Sequence, residues 1–556
     1  MNAKGASPLP AALDLVLRIL VGVLINIVLK ILCVYAGCQV LLRKLLGLQD
    51  PGAPRPVAVA VPWDAAPRAP QSEAGARCAG GSDDGQLSSD EDVIADITAD
   101  DGGAEAGAKL LLPKGAASAA GPGPTRLVQA AHIPVDAVAG ADSDAWRLVG
   151  PYLRQYGSGA LSSSTLWNPE FLHFFVPGLG SQPYVIGRAY NRTIVVGVGD
   201  PLAAREHWLA LASGFRRAFP IATFAHVGAD FGRLLRDELG YGVNDMGAET
   251  NIRVQAYAYG KKTRTIKNAV RDAKAGGVAV RELTAAELTP EVCDQLAHVT
   301  GDWVKQKAVG DSMLRVFIRH LDYENLHLAE GVRLFVAERT VPDADAQPGR
   351  TADDAAAGGG AAKAAGRKVV EGFVLVDPLW RGGEVYGYVT SLNRMRQGSH
   401  HGTLKLLYDE VMSAAKREGK EVLTFGFSPF FNLQLTPFMG ALWVEAAGRF
   451  LFEFGNTLYQ FKNLAFSKAR YGGSVEGDAY KDPNVTMTHV YGATNTRLLD
   501  IGMLDLYVLL MYVGFFGNLD DTLFKMAGLR KSMGNSFSEE PAGAIKGAAA
   551  GGGGDE

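Results

Sequence analysis

Runs of alternating or continuous apolar residues predict two ordered blocks in this chain, each built from strands and helices. The strands predicted in the first block span 184–190, 192–200, 222–229 and 251–259. Its predicted helices, with apolar residues at three- and four-residue spacing, span 203–218, 232–239 and 262–275. The first two strands follow each other directly along the chain, so we expect them to pair.

The second block has a distinct order: a helix, a three-strand meander, a loop, a helix and a strand. Its helices span 285–306 and 403–418, and Gly419 is suited to end the second of them. Its strands span 332–339, 369–376, 385–392 and 421–429, with a turn at 381–384. The two blocks predict an α/β (α+β) protein with mixed sheets, with one domain at 142–283 and another at 284–475.

The N-terminal segment 11–48 is strongly apolar but carries a narrow polar stripe. The residues on this side of a helical wheel include Asp14, Arg18, Asn26 and Lys30. Lys30 divides the segment into uncharged runs shorter than the roughly 20 residues that a spanning helix needs. We therefore expect residues 1–50 to form a membrane-associated helix that either lies in the interface or spans against a partner. A soluble helix packed on the domain is the alternative.

Three stretches contain too few large apolar residues to fold on their own. Residues 51–141 are predicted to be a disordered linker, and residues 536–556 a loose tail. Residues 340–368 form a low-complexity insertion between two predicted strands, which makes them the loop of a long hairpin. A loop of this length is tolerated because the cost of closing it grows slowly with length. The remaining extension, 476–535, contains an apolar run at 504–519 that we expect to dock in the membrane interface or on the N-terminal helix.

Composition and charge exclude several classes of protein. The net charge is −4 over 556 residues, so the chain is not a polycation and we expect no DNA partner. Any anion-binding site must therefore be local. The four cysteines are too few and too scattered for a disulfide framework or a zinc site. We expect no metal, and a reducing environment around the ordered body.

The predicted helix 262–275 concentrates positive charge on one side. Four cations share this face, opposite the apolar residues of the helix: Arg264, Lys267, Arg271 and Lys274. Such a face suits the phosphates of tRNA or of an anionic membrane. A solvated amphipathic helix is the alternative.

The segment 451–473 places six aromatic residues around a small set of charges. The charged residues are Glu453, Lys462, Lys468 and Arg470. Aromatic side chains beside fixed cations are typical of a pocket that holds a phosphate or carboxylate next to an apolar group. An amphipathic helix with a basic outer face is the alternative.

The element order of the second block resembles the acyltransferase fold of the GCN5-related N-acetyltransferase superfamily. In that fold a loop before a helix binds pyrophosphate through free N–H groups and the helix dipole. The corresponding loop here is 394–403, with Gly398 and Gly402 as candidate binding residues. The coenzyme A version of the loop has a glycine at the position of His400, which disfavours acetyl-CoA as a ligand. His401 is a candidate general base on an attacking hydroxyl, since free histidine titrates near pH 6.5.

A series of motifs in both blocks resembles a narrower family, the C-terminal domain of phosphatidylglycerol lysyltransferases, over about 184–471. The motifs are GVGDP (197–201), GAET (247–250), TGDW (300–303), SLNRMR (391–396), GFSPF (426–430) and FKNLAFSKARY (461–471). The resemblance implies two fused acetyltransferase-like domains that move an aminoacyl group from aminoacyl-tRNA to a lipid hydroxyl. It implies no cofactor, aminoacyl-tRNA as the donor, and a phospholipid or sterol membrane as the partner.

The resemblance also implies roles for individual residues. Arg396 keeps the family's arginine, whereas the Asp three residues before it is Asn393 here. In the family this Asp is expected to hold the ammonium group of the aminoacyl moiety, and Asn supplies no charge for that contact. Lysine is therefore not implied as the transferred group. Glu453 matches a family acidic residue, and Lys468 and Arg470 match a basic pair that is implied to bind lipid phosphate or the tRNA end.

We interpret the chain as a membrane-associated aminoacyltransferase that acts on a lipid. Its catalytic candidates are Arg396, Glu453 and His401, with N–H groups or cations stabilising the oxyanion. One alternative is a coenzyme A-dependent N-acyltransferase. Another, suggested by Asn393, is a non-catalytic lipid- or partner-binding protein on a transferase scaffold. The sequence assigns neither the oligomeric state nor the compartment.

Overall fold

The structure is a computed structural model, and its described residues cover most of both predicted blocks. They are 55–62, 125–136, 140–189, 192–305, 319–341 without 325 and 327, 367–434, 438, 440–454, 460–474 and 480–495. The predicted N-terminal helix (1–50), the apolar run at 504–519 and the tail at 536–556 lie outside them, as do residues 342–366 of the predicted hairpin loop. Among the described residues, no helix combines the length and apolar character needed to cross a membrane.

Strands dominate the described part of the chain. They are β1 (Ala58–Pro62), β2 (Thr125–Gln129), β3 (Ala131–Pro134), β4 (Phe171–Val176), β5 (Gly180–Ala189), β6 (Arg192–Val198), β7 (Leu202–Ala203), β8 (Thr223–Val227), β9 (Gly242–Arg253), β10 (Val278–Leu283), β11 (Arg333–Val341), β12 (Arg367–Arg381), β13 (Glu384–Met395), β14 (Val422–Pro429) and β15 (Val485–Thr494). Thirteen of these described strands form one mixed sheet in the order β10-β11-β12-β13-β14-β9-β15-β8-β6-β5-β4-β3, with β7 pairing β5. β1 and β2 pair separately.

Helices cover both faces of the large sheet. They are α1 (Asp144–Tyr156), α2 (Trp208–Ala218), α3 (Ala229–Leu239), α4 (Arg264–Ala275), α5 (Pro290–Lys305), α6 (Thr403–Arg417), α7 (Leu442–Phe454) and α8 (Phe461–Ala469). Neighbouring strand residues point to opposite faces. Phe174 packs with α2 and α3, whereas Phe175 packs with α1. In the other half, Phe373 packs with α5 and Val374 packs with α4 and α6. The result is a three-layer α/β architecture, as the sequence predicts.

The sheet has two halves, and their boundary differs from the predicted one at residue 283. α4 and β10 belong to the second half, because β10 pairs with β11 and α4 packs against α6. The chain crosses between the halves after β9. The predicted extension beyond residue 475 also contributes to the sheet, because β15 lies between β9 and β8.

Most of the predicted elements are confirmed with small changes at their ends. The strands predicted at 184–190 and 192–200 pair antiparallel as β5 and β6. The strands on either side of the low-complexity insertion pair as β11 and β12, which confirms the hairpin. The strand predicted at 251–259 is placed wrongly along the chain. The observed strand, β9, runs from Gly242 to Arg253 and overlaps the prediction only at 251–253. The chain leaves the sheet there because the N–H groups of Ala256 and Tyr257 both bond to the carbonyl of Arg253 in a tight turn.

Part of the predicted disordered linker, 51–141, forms strands instead. β1, β2 and β3 all lie within it. Val59 and Val61 are fully buried in the hydrophobic core that contains α2 and α3. Ile133 is nearly fully buried in the core that contains α1. These short segments do not need a core of their own, because they pack onto apolar surface that the rest of the domain supplies. Composition alone could not reveal that contact.

The strands β13 and β14 are paired only over a short length at the centre of the sheet. Their parallel pairing runs from Gly387–Val389 to Val422–Thr424, beyond which both strands continue unpaired to each other. A break in register between Thr424 and Phe427 also interrupts the pairing of β14 with β9. We call the opening between these diverging ends the wedge, formed by 390–395 of β13 and 425–429 of β14.

Candidate active site in the wedge

Lys468 places a buried positive charge against one wall of the wedge. Its side chain, on α8, belongs to a residue that is only 5% exposed. Its Nζ donates to the carbonyls of Gly426 (3.1 Å) and Phe427 (2.8 Å). These carbonyls are turned toward it where β14 breaks register, with Gly426 in the left-handed region at φ +70°. Burial lowers the pKa of Lys468 to about 7, although the nearby Glu249 carboxylate partly opposes this.

Buried aromatic rings pack together next to this part of β14. Tyr408 of α6 stacks on Phe425 with ring centroids 4.7 Å apart, and Phe425 packs against Tyr471 at 4.6 Å. The Tyr471 hydroxyl and the buried Ser428 Oγ make no hydrogen bond to any described residue. The cluster thus combines packed apolar rings with two buried polar atoms that have no partner among the described residues.

Asn393 joins the wedge through this aromatic group. Its Nδ2 donates to the Tyr408 hydroxyl at 3.1 Å, which places the half-buried amide on the α6 face of the sheet. Arg396 makes its contact on the opposite face, where its Nε lies 3.7 Å from Asp302 Oδ2 of α5. The structure therefore does not bring these two predicted residues into one contact group. Sequence reasoning missed Asp302 as the partner of Arg396, although it belongs to the TGDW motif.

The loop between β13 and α6 is closed by a carboxylate of the protein itself. Glu371 is the extra residue of a β-bulge in β12, and it is buried. Its Oε2 accepts from the backbone N–H of His400 (3.2 Å) and the hydroxyl of Thr403 (2.9 Å), while its Oε1 lies 2.5 Å from Nε of Arg339. Bulges commonly redirect a side chain in this way. The donors at the start of α6 thus already face an anion.

The two predicted binding glycines have structural reasons to be glycine. A Cβ at Gly402 would lie 2.1 Å from the Ala269 carbonyl of α4, so the residue permits close packing of α4 and α6. Gly398 has φ +77°, which glycine adopts at little cost. The backbone N–H of Gly402 donates to His400 Nδ1 at 3.1 Å. His401 is exposed and stacks near His400, with ring centroids 4.3 Å apart.

A second group of cations lies beside this loop. The half-buried Lys405 of α6 donates to the His401 carbonyl at 3.2 Å. Burial, and to a lesser extent the positive charge of Arg470, lower the pKa of Lys405. Arg470 itself is exposed in the short helical turn after α8. Two neighbouring cations that repel each other favour binding of an anion between them. Sequence reasoning selected Arg470 but missed Lys405.

Glu453 and the basic helix lie on the surface. Glu453, 57% exposed at the end of α7, accepts from Lys462 Nζ at 2.6 Å. This is a surface ion pair, and no described contact joins Glu453 to the wedge, which does not support its predicted catalytic role. The four cations of α4 are exposed as predicted: Arg264, Lys267, Arg271 and Lys274. Two of them have acidic neighbours, since Arg271 lies 3.3 Å from Asp272, and Lys274 lies 3.3 Å from Glu410.

Comparison with known families identifies the class of protein. A sequence profile of the family described as phosphatidylglycerol lysyltransferase, C-terminal, matches residues 151–480. The chain therefore belongs to this family, which places it among transferases that move an aminoacyl group to a lipid. Comparison with curated proteins found no match to this chain.

Several solved structures are similar to this chain. The C-terminal domain of an Agrobacterium fabrum protein assigned as a lysylphosphatidylglycerol synthetase is 16% identical, with a TM-score of 0.45 over 65% of this chain and 95% of that one. L-PGS from Bacillus licheniformis is 16% identical, with a TM-score of 0.46 over 65% and 96%. A tandem GNAT protein from the clavulanic acid biosynthesis pathway is 12% identical, with a TM-score of 0.26 over 53% and 89%.

Proposed function

We propose that the wedge is the place where an aminoacyl group passes from aminoacyl-tRNA to the hydroxyl of a membrane lipid. The observation that carries this proposal is the buried amine of Lys468, held on two carbonyls where β14 separates from β13. A protonated lysine has three N–H donors. The two carbonyls accept from two of them, which leaves one donor to meet an oxygen atom of the substrate.

The chemistry is acyl transfer between two oxygen atoms. The lipid hydroxyl attacks the ester carbonyl carbon, a new ester bond forms, and the bond to the ribose oxygen of the tRNA breaks. The proton of the lipid hydroxyl ends on that ribose oxygen, so atoms and charge balance without a cofactor. Negative charge develops on the carbonyl oxygen during attack, and a prepositioned donor stabilises it. Lys468 is the group that we assign to this role.

The neighbouring cations supply sites for the phosphates of the two substrates. Lys405 and Arg470 lie together at the edge of the loop, where the phosphate of a lipid or of the tRNA end would relieve their repulsion. The exposed face of α4, with Arg264 and Lys267, extends positive charge over the same half of the protein. We assign the tRNA to this face because each phosphate contact adds salt-sensitive affinity without requiring a shaped pocket.

Acyl-coenzyme A is a poorer fit as a donor. The N–H of His400 and the hydroxyl of Thr403 already donate to Glu371 in the loop where a pyrophosphate would bind. A pyrophosphate there would meet a buried carboxylate, and like charges at close range repel. Membrane association is part of the proposal and rests on family membership and on the apolar segment predicted at 1–50.

The direct test uses the full-length chain, because β1 and β15 lie outside any shorter body that the sequence suggested. The protein is mixed with tRNAs charged one at a time with labelled amino acids and with vesicles of phosphatidylglycerol or of sterol-containing phospholipid. We expect labelled lipid with at least one donor and one vesicle type. Lys468→Met should abolish transfer, whereas Lys462→Met, the same change on the same helix, should not. Failure of every donor with every vesicle refutes the function.

A further inference from the structure

A group of charged residues beside the wedge is contributed by the first half of the sheet. His226 Nε2 lies 3.1 Å from Glu249 Oε1, and both side chains are almost completely buried. Behind them, Asp200 Oδ1 accepts from the backbone N–H of Gly228 at 2.7 Å. A Cβ at Gly228 would lie 2.7 Å from Asp200 Oδ2, so a larger residue there would displace the Asp200 carboxylate. Sequence reasoning had placed Asp200 and Glu249 in motifs but gave them no role.

Strain in the backbone marks the same group. His226 has φ +59°, a left-handed conformation that costs a non-glycine residue about 1 kcal/mol. Such outliers persist only where the surroundings enforce them, and they cluster at functional sites. The ring of His226 also packs edge-on against Phe427 at 5.0 Å.

Phe427 connects this group to Lys468. Across the sheet, Glu249 of β9 is the register partner of Phe427 of β14. The carbonyl of Phe427 is one of the two acceptors of Lys468 Nζ. Glu249 therefore lies opposite the strand residue whose carbonyl binds the lysine, and its carboxylate attracts the Lys468 amine electrostatically.

We propose that Glu249 is a positioning residue for Lys468: its buried carboxylate, 3.1 Å from His226 Nε2, holds the lysine in the ammonium form against the Gly426 and Phe427 carbonyls. This inference rests on the proposed function and assigns a separate part of the site to each half of the sheet. The second half of the sheet forms the wedge, and the first half supplies the counter-charge. Loss of the carboxylate would leave an uncompensated buried cation, which then releases its proton more easily.

The other titratable groups around this centre can be named. Asp200 faces His226 and Glu249 from the loop after β6, and burial raises its pKa to about 6. Arg205, in the turn before α2, acts on Asp200. Tyr386 of β13 also lies within reach of the Glu249 charge, and burial raises its pKa. Below pH 6, protonation of Asp200 would also change the charge near Glu249. The test is therefore made between pH 6 and pH 9.

The first experiment measures the lysine itself and needs no substrate. Full-length protein labelled with ¹³C- and ¹⁵N-lysine is titrated by NMR, and the Lys468 signal is assigned by its loss in Lys468→Met. In Glu249→Gln, which keeps the shape of the side chain, we expect the midpoint to fall by about 1 pH unit or more. Glu249→Asp should restore most of the difference. Asp245→Asn is the matched control, because this buried acid on the same strand pairs with His489 and should leave the midpoint unchanged.

The second experiment measures the pH dependence of transfer to lipid with the same variants. We expect the limb of the profile that reports Lys468 to move to lower pH in Glu249→Gln, by the shift seen in the NMR titration. An unchanged NMR midpoint in folded Glu249→Gln overturns the inference, and so does a shifted midpoint with an unmoved activity limb. Absence of transfer by every protein refutes the proposed function instead, and the NMR result then decides the role of Glu249 by itself. If Glu249→Gln does not fold, Glu249→Met is the deciding variant, and its midpoint must fall below that of the control by about 1 pH unit.

Discussion

At the scale of single residues, Lys468 combines a functional position with a cost in stability. An amine with an ordinary pKa of 10.5 titrates near 7 because the folded protein buries it. The folded state therefore binds this proton less tightly than the unfolded state. Below pH 7 the lysine is charged in both states, and the full free-energy cost of burying that charge opposes folding. This cost decreases as the pH rises toward 10.5. A residue selected only for stability would not be a lysine here.

Replacement of Lys468 by methionine should therefore increase stability while it removes activity. Each unit of pKa shift corresponds to about 1.4 kcal/mol, and loss of the two carbonyl contacts offsets part of the gain. We expect the free energy of unfolding at pH 7 to rise by about 1–3 kcal/mol, and the difference from the wild-type protein to shrink between pH 7 and pH 10. Urea unfolding at several pH values measures this. A destabilised Lys468→Met at pH 7 would contradict the assignment of a strained, buried amine.

Asn393 is the residue that should decide which amino acid is transferred. It donates to Tyr408 at the edge of the wedge but carries no charge. Asn393→Asp would add a carboxylate at the same place, and a charged hydrogen bond is about twice as strong as a neutral one. We expect the ratio of transfer from lysyl-tRNA to transfer from alanyl-tRNA to rise about tenfold, the equivalent of ~1.4 kcal/mol. Equal ratios in the two proteins would show that this position does not contact the aminoacyl group.

At the scale of elements, the start of α6 shows why motif matching misleads. The loop has the glycines of an anion-binding loop, and the sequence predicted that role from them. Their structural reasons are helix packing at Gly402 and backbone conformation at Gly398. The anion that these donors bind is the carboxylate of Glu371. Glu371 lies on β12, which a long insertion separates from its hairpin partner β11. No local pattern around the loop could identify that residue.

Glu371 should consequently be important for stability rather than catalysis. Glu371→Gln removes the buried charge that faces Arg339, the His400 N–H and the Thr403 hydroxyl, and leaves the half-exposed Arg339 without its counter-charge. We expect a loss of about 1–3 kcal/mol in the free energy of unfolding, measured in urea. Glu421→Gln is the control, because its partner Arg381 is exposed and such pairs contribute less than about 1 kcal/mol. Equal effects of the two changes would show that the loop does not depend on the carboxylate.

At the scale of the whole molecule, the sequence predicted the elements well and their assembly poorly. β5, β6, β11, β12 and β13 have local alternation and short or obvious connections, which a periodicity argument detects. β15 pairs with β8 and β9 from far along the chain, and β1 depends on a core built elsewhere. The wedge and its lysine likewise depend on a register break and on residues from three separate elements. These features depend on contacts between distant parts of the chain, which a local sequence pattern does not reveal.

The two halves are joined by contacts other than the sheet itself. The turn between β12 and β13 docks on the end of α1: the N–H groups of Trp380, Gly382 and Gly383 donate to the carbonyls of Gly157, Gln155 and Arg154. The last carbonyls of a helix lack partners within it, so this contact satisfies them. Asp377 of β12 is fully buried and lies 3.4 Å from Nε of Arg319, which stacks over Trp167 of the first half. The protein should therefore unfold as one unit.

A double-mutant cycle on Arg319 and Asp377 tests this coupling. Either Arg319→Met or Asp377→Asn leaves a buried partner uncompensated and should cost about 3–5 kcal/mol, whereas the double variant should cost about 1–3 kcal/mol less than the sum. The exposed pair Arg381 and Glu421 is the control, and its two changes should add within about 0.5 kcal/mol. Urea unfolding followed by tryptophan fluorescence and by circular dichroism should give coincident single transitions in the wild-type protein. Two separated transitions would mean that the halves unfold independently and would contradict this coupling.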